Sequence, residues 1–177
     1  SPRLNWVLLC STSGGVARNN MNEMHNKVRV TVIRAGTGER FTTECHNLRT
    51  DIGVNWQVNH MHGVSGAGIS ALSRIAISSR ATAPTSSDTD LKGEESADGL
   101  ARQLATFSHT ADQSLATLSA EWQYTGGSVV TIQKAAVAFG TTDLGTSADT
   151  HFLITAVSPV AVLNSNDTIA IDWGINV

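Results

Sequence analysis

The sequence predicts a mainly β protein: an antiparallel β-sandwich of jelly-roll type with one short helix and an N-terminal extension. Three observations predict it. Apolar and polar residues alternate with period two in run after run from residue 27 to the end, which is the pattern of half-buried strands. Gly, Asn and Asp clusters separate the runs at the spacing of a sandwich or barrel, giving about eight strands. Only one stretch has a helical period.

The elements follow in order. Lys27-Val-Arg-Val-Thr-Val-Ile-Arg34 sets Val28, Val30 and Val32 against Arg29 and Thr31, Ala35-Gly-Thr-Gly38 turns the chain, and Arg40 to Cys45 returns as the second strand of a hairpin. Thr50 or Asp51 can cap a helix over Asp51 to His62, with Ile52, Trp56 and His60 as its stripe and Gly63 as its C-terminal stop. The organising stretch is Ile69 to Thr110. An apolar run to Ser78 and a second run from Leu100 are joined there by a long, structured crossover through Pro84 and Asp88-Thr-Asp-Leu91.

Strands are then expected over Leu115 to Tyr124, Ser128 to Phe139 and His151 to Val157. The last is the clearest. Ile169, Ile171, Trp173, Ile175 and Val177 face one way, and Thr168, Asp172 and Asn176 the other.

A chain of 177 residues is long enough for one core. The division expected is an N-terminal arm and hairpin over 1–48, serving attachment, and a sandwich domain over 49–177. Charged residues are only 15% of the chain, so solubility rests on hydroxyls and amides, a balance that suits extensive surface contact. The net charge of −3 and the lack of a basic run argue against direct nucleic-acid binding, which needs clustered Lys and Arg. No segment reaches the roughly 18 apolar residues of a membrane span, so a soluble chain with no membrane partner is expected. Cys10 and Cys45 do not make a disulfide framework, and buried thiols are the favoured reading.

Candidate chemistry is sparse. His60-Met-His62 is the best metal-like pair, with His25, His46, His109 and His151 elsewhere, but no zinc-type spacing accompanies it, and no metal or other cofactor is expected. Asp88, Asp90, Glu94 and Glu95 form the densest acidic cluster, and they lack an EF-hand spacing. A solvated loop, in which Asp88 caps a turn running through Leu91, is favoured over a calcium site. No nucleophile elbow or phosphate loop occurs, so no catalytic residue is nominated and a non-enzyme is expected. Trp56, Trp122 and Trp173 read as core. Trp6, Val7, Leu8 and Leu9 read as a partner interface, since they sit in an extension with little core of its own.

Four phrases carry a family resemblance: Thr50-Asp-Ile-Gly-Val-Asn55, Ile75-Ala-Ile77 leading into Ala81-Thr-Ala-Pro-Thr-Ser-Ser-Asp-Thr-Asp-Leu91 with Glu94, Ala105-Thr-Phe-Ser-His-Thr110, and Asn166-Asp-Thr-Ile-Ala-Ile-Asp-Trp173. Over residues 50–177 the chain resembles small virion structural proteins of tailed bacteriophages, the head decoration and tail-associated β-sandwich proteins. The chain departs from that pattern at Ser78-Ser-Arg-Ala81, where a Gly-rich entry to the loop is usual, and residues 1–48 match nothing in it.

The resemblance implies a virion component without catalytic residues. The expected role is a decoration or cement protein on the outer surface of the head, contacting the major capsid protein and copies of itself, as a homotrimer. A tail, baseplate or fibre-associated protein touching a host receptor is the alternative, and a carbohydrate-binding β-sandwich module is a third reading from another class.

Overall fold

The structure is a computed structural model and describes residues 11–12, 27–51, 53, 72–111, 115–139 and 151–176. Its strands are β1 (Ser11–Thr12), β2 (Lys27–Ile33), β3 (Arg40–His46), β4 (Leu48–Arg49), β5 (Leu72–Ser78), β6 (Gln103–Leu104), β7 (Thr106–His109), β8 (Leu115–Gln123), β9 (Val130–Phe139), β10 (His151–Leu163) and β11 (Thr168–Asn176). They form two antiparallel sheets. Sheet A has the order β1-β3-β2-β11-β8-β7, and sheet B the order β4-β10-β9-β5-β6.

Alternation decides which side of each strand is dry. Val28, Val30 and Val32 of β2, Leu118 and Trp122 of β8, and Ile169, Ile171 and Trp173 of β11 meet Ile75, Ile77, Ile132, Val137, Leu153 and Leu163 of sheet B in one core. The predicted sandwich is therefore the observed architecture. Its winding is a Greek key: β8 and β11 pair in sheet A, while β9 and β10, which lie between them in the chain, pair in sheet B.

The structure corrects several boundaries. The hairpin grouped with the N-terminal arm is part of the sandwich, because β2 is hydrogen-bonded to β11 and its valines are core. A division between residues 48 and 49 would cut that core. The run from Leu100 is not one strand either. Leu100 and Arg102 are buried outside any strand, β6 lies in sheet B and β7 in sheet A, with the Ala105 amide donating to the Ser73 carbonyl at 2.7 Å where the chain changes sheets.

The strand expected to stop at Val157 continues to Leu163 through a register shift between Ala156 and Ala161. That irregularity carries the Ser158 carbonyl to β3, where it accepts from Thr43 Oγ1 at 3.3 Å and from the buried Cys45 thiol at 3.7 Å. Of the predicted helix, Asp51 and Gly53 are helical, and Thr50 is its cap, accepting the Gly53 amide at 3.1 Å. The rest of that prediction lies outside the described residues, as does Cys10.

Residues 79–102 form a flap that runs over the outer face of sheet B and ends with Leu100 in the core between the sheets. Leu91 packs there on Ala76, Ala136 and Ile154, so the centre of sheet B is buried on both sides. The flap is closed at Gly99, whose φ of +82° favours glycine, and a Cβ there would stand 2.2 Å from the Gln123 carbonyl oxygen. Gly99→Ala is expected to cost about 2–3 kcal/mol, from strain and a clash with backbone, read as a lower midpoint in urea. An unchanged midpoint would contradict this geometry.

Candidate interaction surface

The outer face of sheet A is built by the residues that alternate with its core. Register aligns them in rows across the strands. Glu44 lies opposite Arg29, Arg29 opposite Asp172, Asp172 opposite Ser119, and Ser119 opposite Thr106, one polar row spanning five strands. A second row runs Thr42, Thr31, Ala170 and Glu121.

Most of these groups are satisfied within the face. Arg29 donates from Nε and Nη2 to Glu44 Oε1 at 3.2 and 2.9 Å, and Lys27 Nζ stands 3.7 Å from Glu44 Oε2. The Thr31 and Thr42 hydroxyls bond at 3.1 Å, and Ser119 Oγ donates to Asp172 Oδ1 at 2.7 Å. The hydrogen bond from Arg29 is the largest influence on the Glu44 carboxyl. Together with the charges of Arg29 and Lys27 it outweighs burial and holds the pKa below the ordinary value.

Toward the β7 edge the face dips into a depression of about 260 Å³ lined by Leu104, Thr106, Ser119, Ala120, Glu121, Ala170 and Asp172. Glu121 and Asp172 are diagonal neighbours on β8 and β11, a relation that sets residues about 7–8 Å apart. The site thus offers two carboxylates, two hydroxyls and the apolar side chains of Leu104, Ala120 and Ala170 to a ligand. That chemistry accepts hydrogen bonds from hydroxyl or amide groups.

Neither acid is marked as a site by the sequence. Their polar parity on each strand was visible, but the pairing of β8 with β11 that brings them together was not.

The acidic cluster of the flap proves to be a set of fastenings. Asp88 accepts from the Thr85 amide at 2.9 Å and from its hydroxyl at 2.9 Å, closing the turn before it rather than the one through Leu91. Burial works against ionisation of Asp88 and is the largest influence, but the Thr85 bonds and the charges of Lys92 and Lys134 outweigh it, so its pKa is lowered. Glu95 accepts the Ser79 amide at 3.2 Å, and Asp90 is exposed. Burial likewise lowers the pKa of Lys134, whose Nζ donates to the Lys92 carbonyl at 3.3 Å beneath the flap.

Glu94 forms the tightest fastening. Arg102 donates to it from Nε at 2.9 Å and Nη2 at 2.7 Å, and the two side chains are 2% and 14% exposed for Arg102 and Glu94. Arg102→Met strands the Glu94 charge, and removing one partner of a buried pair is strongly destabilising. We expect tryptic cleavage at Arg80 and Lys92 to rise at least about tenfold, because cleavage tracks the population of the open flap. Adding Glu94→Leu should restore most of the resistance. Equal cleavage in the wild type and Arg102→Met would refute the fastening.

Trp122 and Trp173 are core, as expected. His46 and His109 are exposed near opposite edges of sheet A, and His151 begins β10. Trp6, Val7, Leu8, Leu9, His25, Trp56, His60 and His62 lie outside the described residues. Among the described residues, no group of three or more His, Cys, Asp or Glu is placed to hold a metal ion, and no helix is long and apolar enough to cross a membrane.

Comparison of the chain with protein-family models, with curated proteins and with solved structures gives no match. The family resemblance rests on the residues that carry it.

Proposed function

We propose that this chain is a non-enzymatic structural component of a tailed-bacteriophage particle, a decoration or cement protein on the outside of the head. It contacts the major capsid protein and copies of itself. The observation that carries the reading is the outer face of sheet A, broad and rich in hydroxyls, with Lys27, Arg29 and Glu44 paired inside it. Burying isolated charges against a partner is costly, and a face whose ions are already matched avoids much of that cost. The phrases behind the resemblance also fall on prominent elements: the flap, β7, and the turn leading into β11.

The test is cryo-electron microscopy of purified particles carrying the chain. Density on the capsid exterior between capsomers supports the reading, and density at the tail tip overturns the head placement. Deleting residues 1–26 is expected to leave the sandwich folded and the particles bare. Unchanged occupancy would remove the arm from the attachment.

The depression beside Glu121 and Asp172 favours a second reading, a glycan-binding module. Its carboxylates suit sugar hydroxyls, while the buried Trp122 and Trp173 supply no stacking platform. Glycan binding lost on Glu121→Gln with Asp172→Asn would favour this alternative.

A further inference from the structure

Among the described residues no strand lies beyond β7, the last strand of sheet A. All four of its residues are exposed, Phe107 at 64%, and Leu104 just before it is 68% exposed. Such an edge is a template for another strand, and proteins ordinarily blunt it with Lys, Pro, a bulge or a very short length. Here those devices are missing. Residues 103–110 contain no charged residue and no proline, and the β7–β8 ladder runs from Thr106–Ser119 to His109–Ala116 without a shift. The other described edges differ: β1, β4 and β6 have two residues each.

The local sequence selects the occupant. Thr106-Phe-Ser-His-Thr110 is nearly symmetrical about Ser108. With a second copy laid antiparallel so that the two Ser108 residues are opposite, Thr106 meets the second Thr110 and Phe107 meets the second His109. Hydroxyls then face hydroxyls on one side of the sheet, and rings face rings on the other.

Phe107 and His109 already stack within the strand, with ring centroids 6.4 Å apart and 29° between planes. Two copies would gather four rings. Aromatic pairs and Thr–Thr pairs are favourable cross-strand neighbours, whereas a slip of one residue sets hydroxyls against rings.

We propose that β7 pairs antiparallel with β7 of a second copy of this chain, about a two-fold axis at Ser108. The two six-stranded sheets become one continuous sheet across the axis. This assigns a self-contact that the function above leaves unplaced; it stands without that reading, and its two-fold symmetry closes as a dimer, in place of the homotrimer that the resemblance implies.

The experiment is sedimentation of the full chain over the micromolar range, with Ser108→Lys and Ser108→Glu. The wild type is expected to approach twice the 18.7 kDa chain mass. Each variant sets like charges across the axis and should weaken self-association at least about tenfold, with an unchanged circular-dichroism spectrum. An equimolar mixture of the two variants should recover the paired mass, which a misfolded variant could not do. A wild type that stays at the single-chain mass overturns the proposal. So does a wild-type assembly of any size that Ser108→Lys leaves intact, or a mixture that fails to recover.

Discussion

Trp122→Ala is expected to remove about 3–5 kcal/mol of folding stability, a large share of the roughly 5–15 kcal/mol that holds a domain together. Trp122 is 1% exposed and stands on β8 opposite Ile169 of β11, between the two sheets. Its ring fills space that smaller neighbours cannot reach. Its indole Nε1 also donates to the Ala101 carbonyl at 2.7 Å, tying the end of the flap to the core.

Alanine therefore leaves a cavity and an unsatisfied carbonyl together. Trp122→Phe separates the two effects: it keeps most of the apolar volume and loses the bond, for a cost of about 1–3 kcal/mol. Urea unfolding of the three proteins, with a common m-value, measures both steps. A loss below about 1 kcal/mol for the alanine variant would show that this core repacks around the gap.

That Trp122 is core was legible in the sequence, because period two on β8 and β11 names the dry side without reference to any partner strand. Trp173, Ile169 and Ile171 were legible for the same reason. What period two cannot give is which strand lies beside which.

The row from Glu44 to Thr106 and the meeting of Glu121 with Asp172 are properties of register, so the candidate surface was invisible although its residues, Leu104 and Thr106 apart, lay on correctly read strands. The hairpin of β2 and β3 was misassigned to the arm for a related reason. Its pairing with β11 joins residues far apart in the chain, and no local pattern announces it.

Burial on both faces of a strand has its own sequence signal. Ala135-Ala-Val-Ala138 on β9 and Ile75-Ala-Ile77 on β5 are continuous apolar runs, the mark of strands covered on both faces. They imply a layer over the outside of sheet B, and the flap is that layer, with Leu91 as its apolar contact. Asp88, Glu94 and Glu95 of the flap then have local duties, accepting hydrogen bonds that hold the layer in place.

Asp167→Asn is expected to be the most damaging change outside the core, and its effect should depend on pH. The Asp167 side chain is 4% exposed and accepts the Asn164 amide at 2.8 Å and the Ala35 amide at 3.0 Å, with Arg34 Nη1 closing an ion pair. Arg34 in turn donates to the Val162 carbonyl at 2.9 Å and lies over Phe41, 5.2 Å from the ring centre. One carboxylate thus joins the β2–β3 turn to the β10–β11 turn.

Neutralising this carboxylate strands the guanidinium, a loss of about 3 kcal/mol. That is the lower end for a buried pair, because Arg34 keeps 26% of its exposure.

Burial is the largest influence on Asp167 and works against ionisation, but the Asn164 and Ala35 amides and the Arg34 guanidinium outweigh it, so the folded pKa lies below the ordinary 3.8. A carboxyl lowered by folding contributes stability that is full above its unfolded pKa, about 3.9, and is lost as pH falls through the folded value. The stability gap between the wild type and Asp167→Asn should therefore be constant from pH 7 down to about pH 5 and close below about pH 4. Unfolding free energies of both proteins between pH 7 and pH 2 measure it. A gap of constant size across that range would show that the carboxylate's charge contributes nothing and that shape alone holds the two turns together.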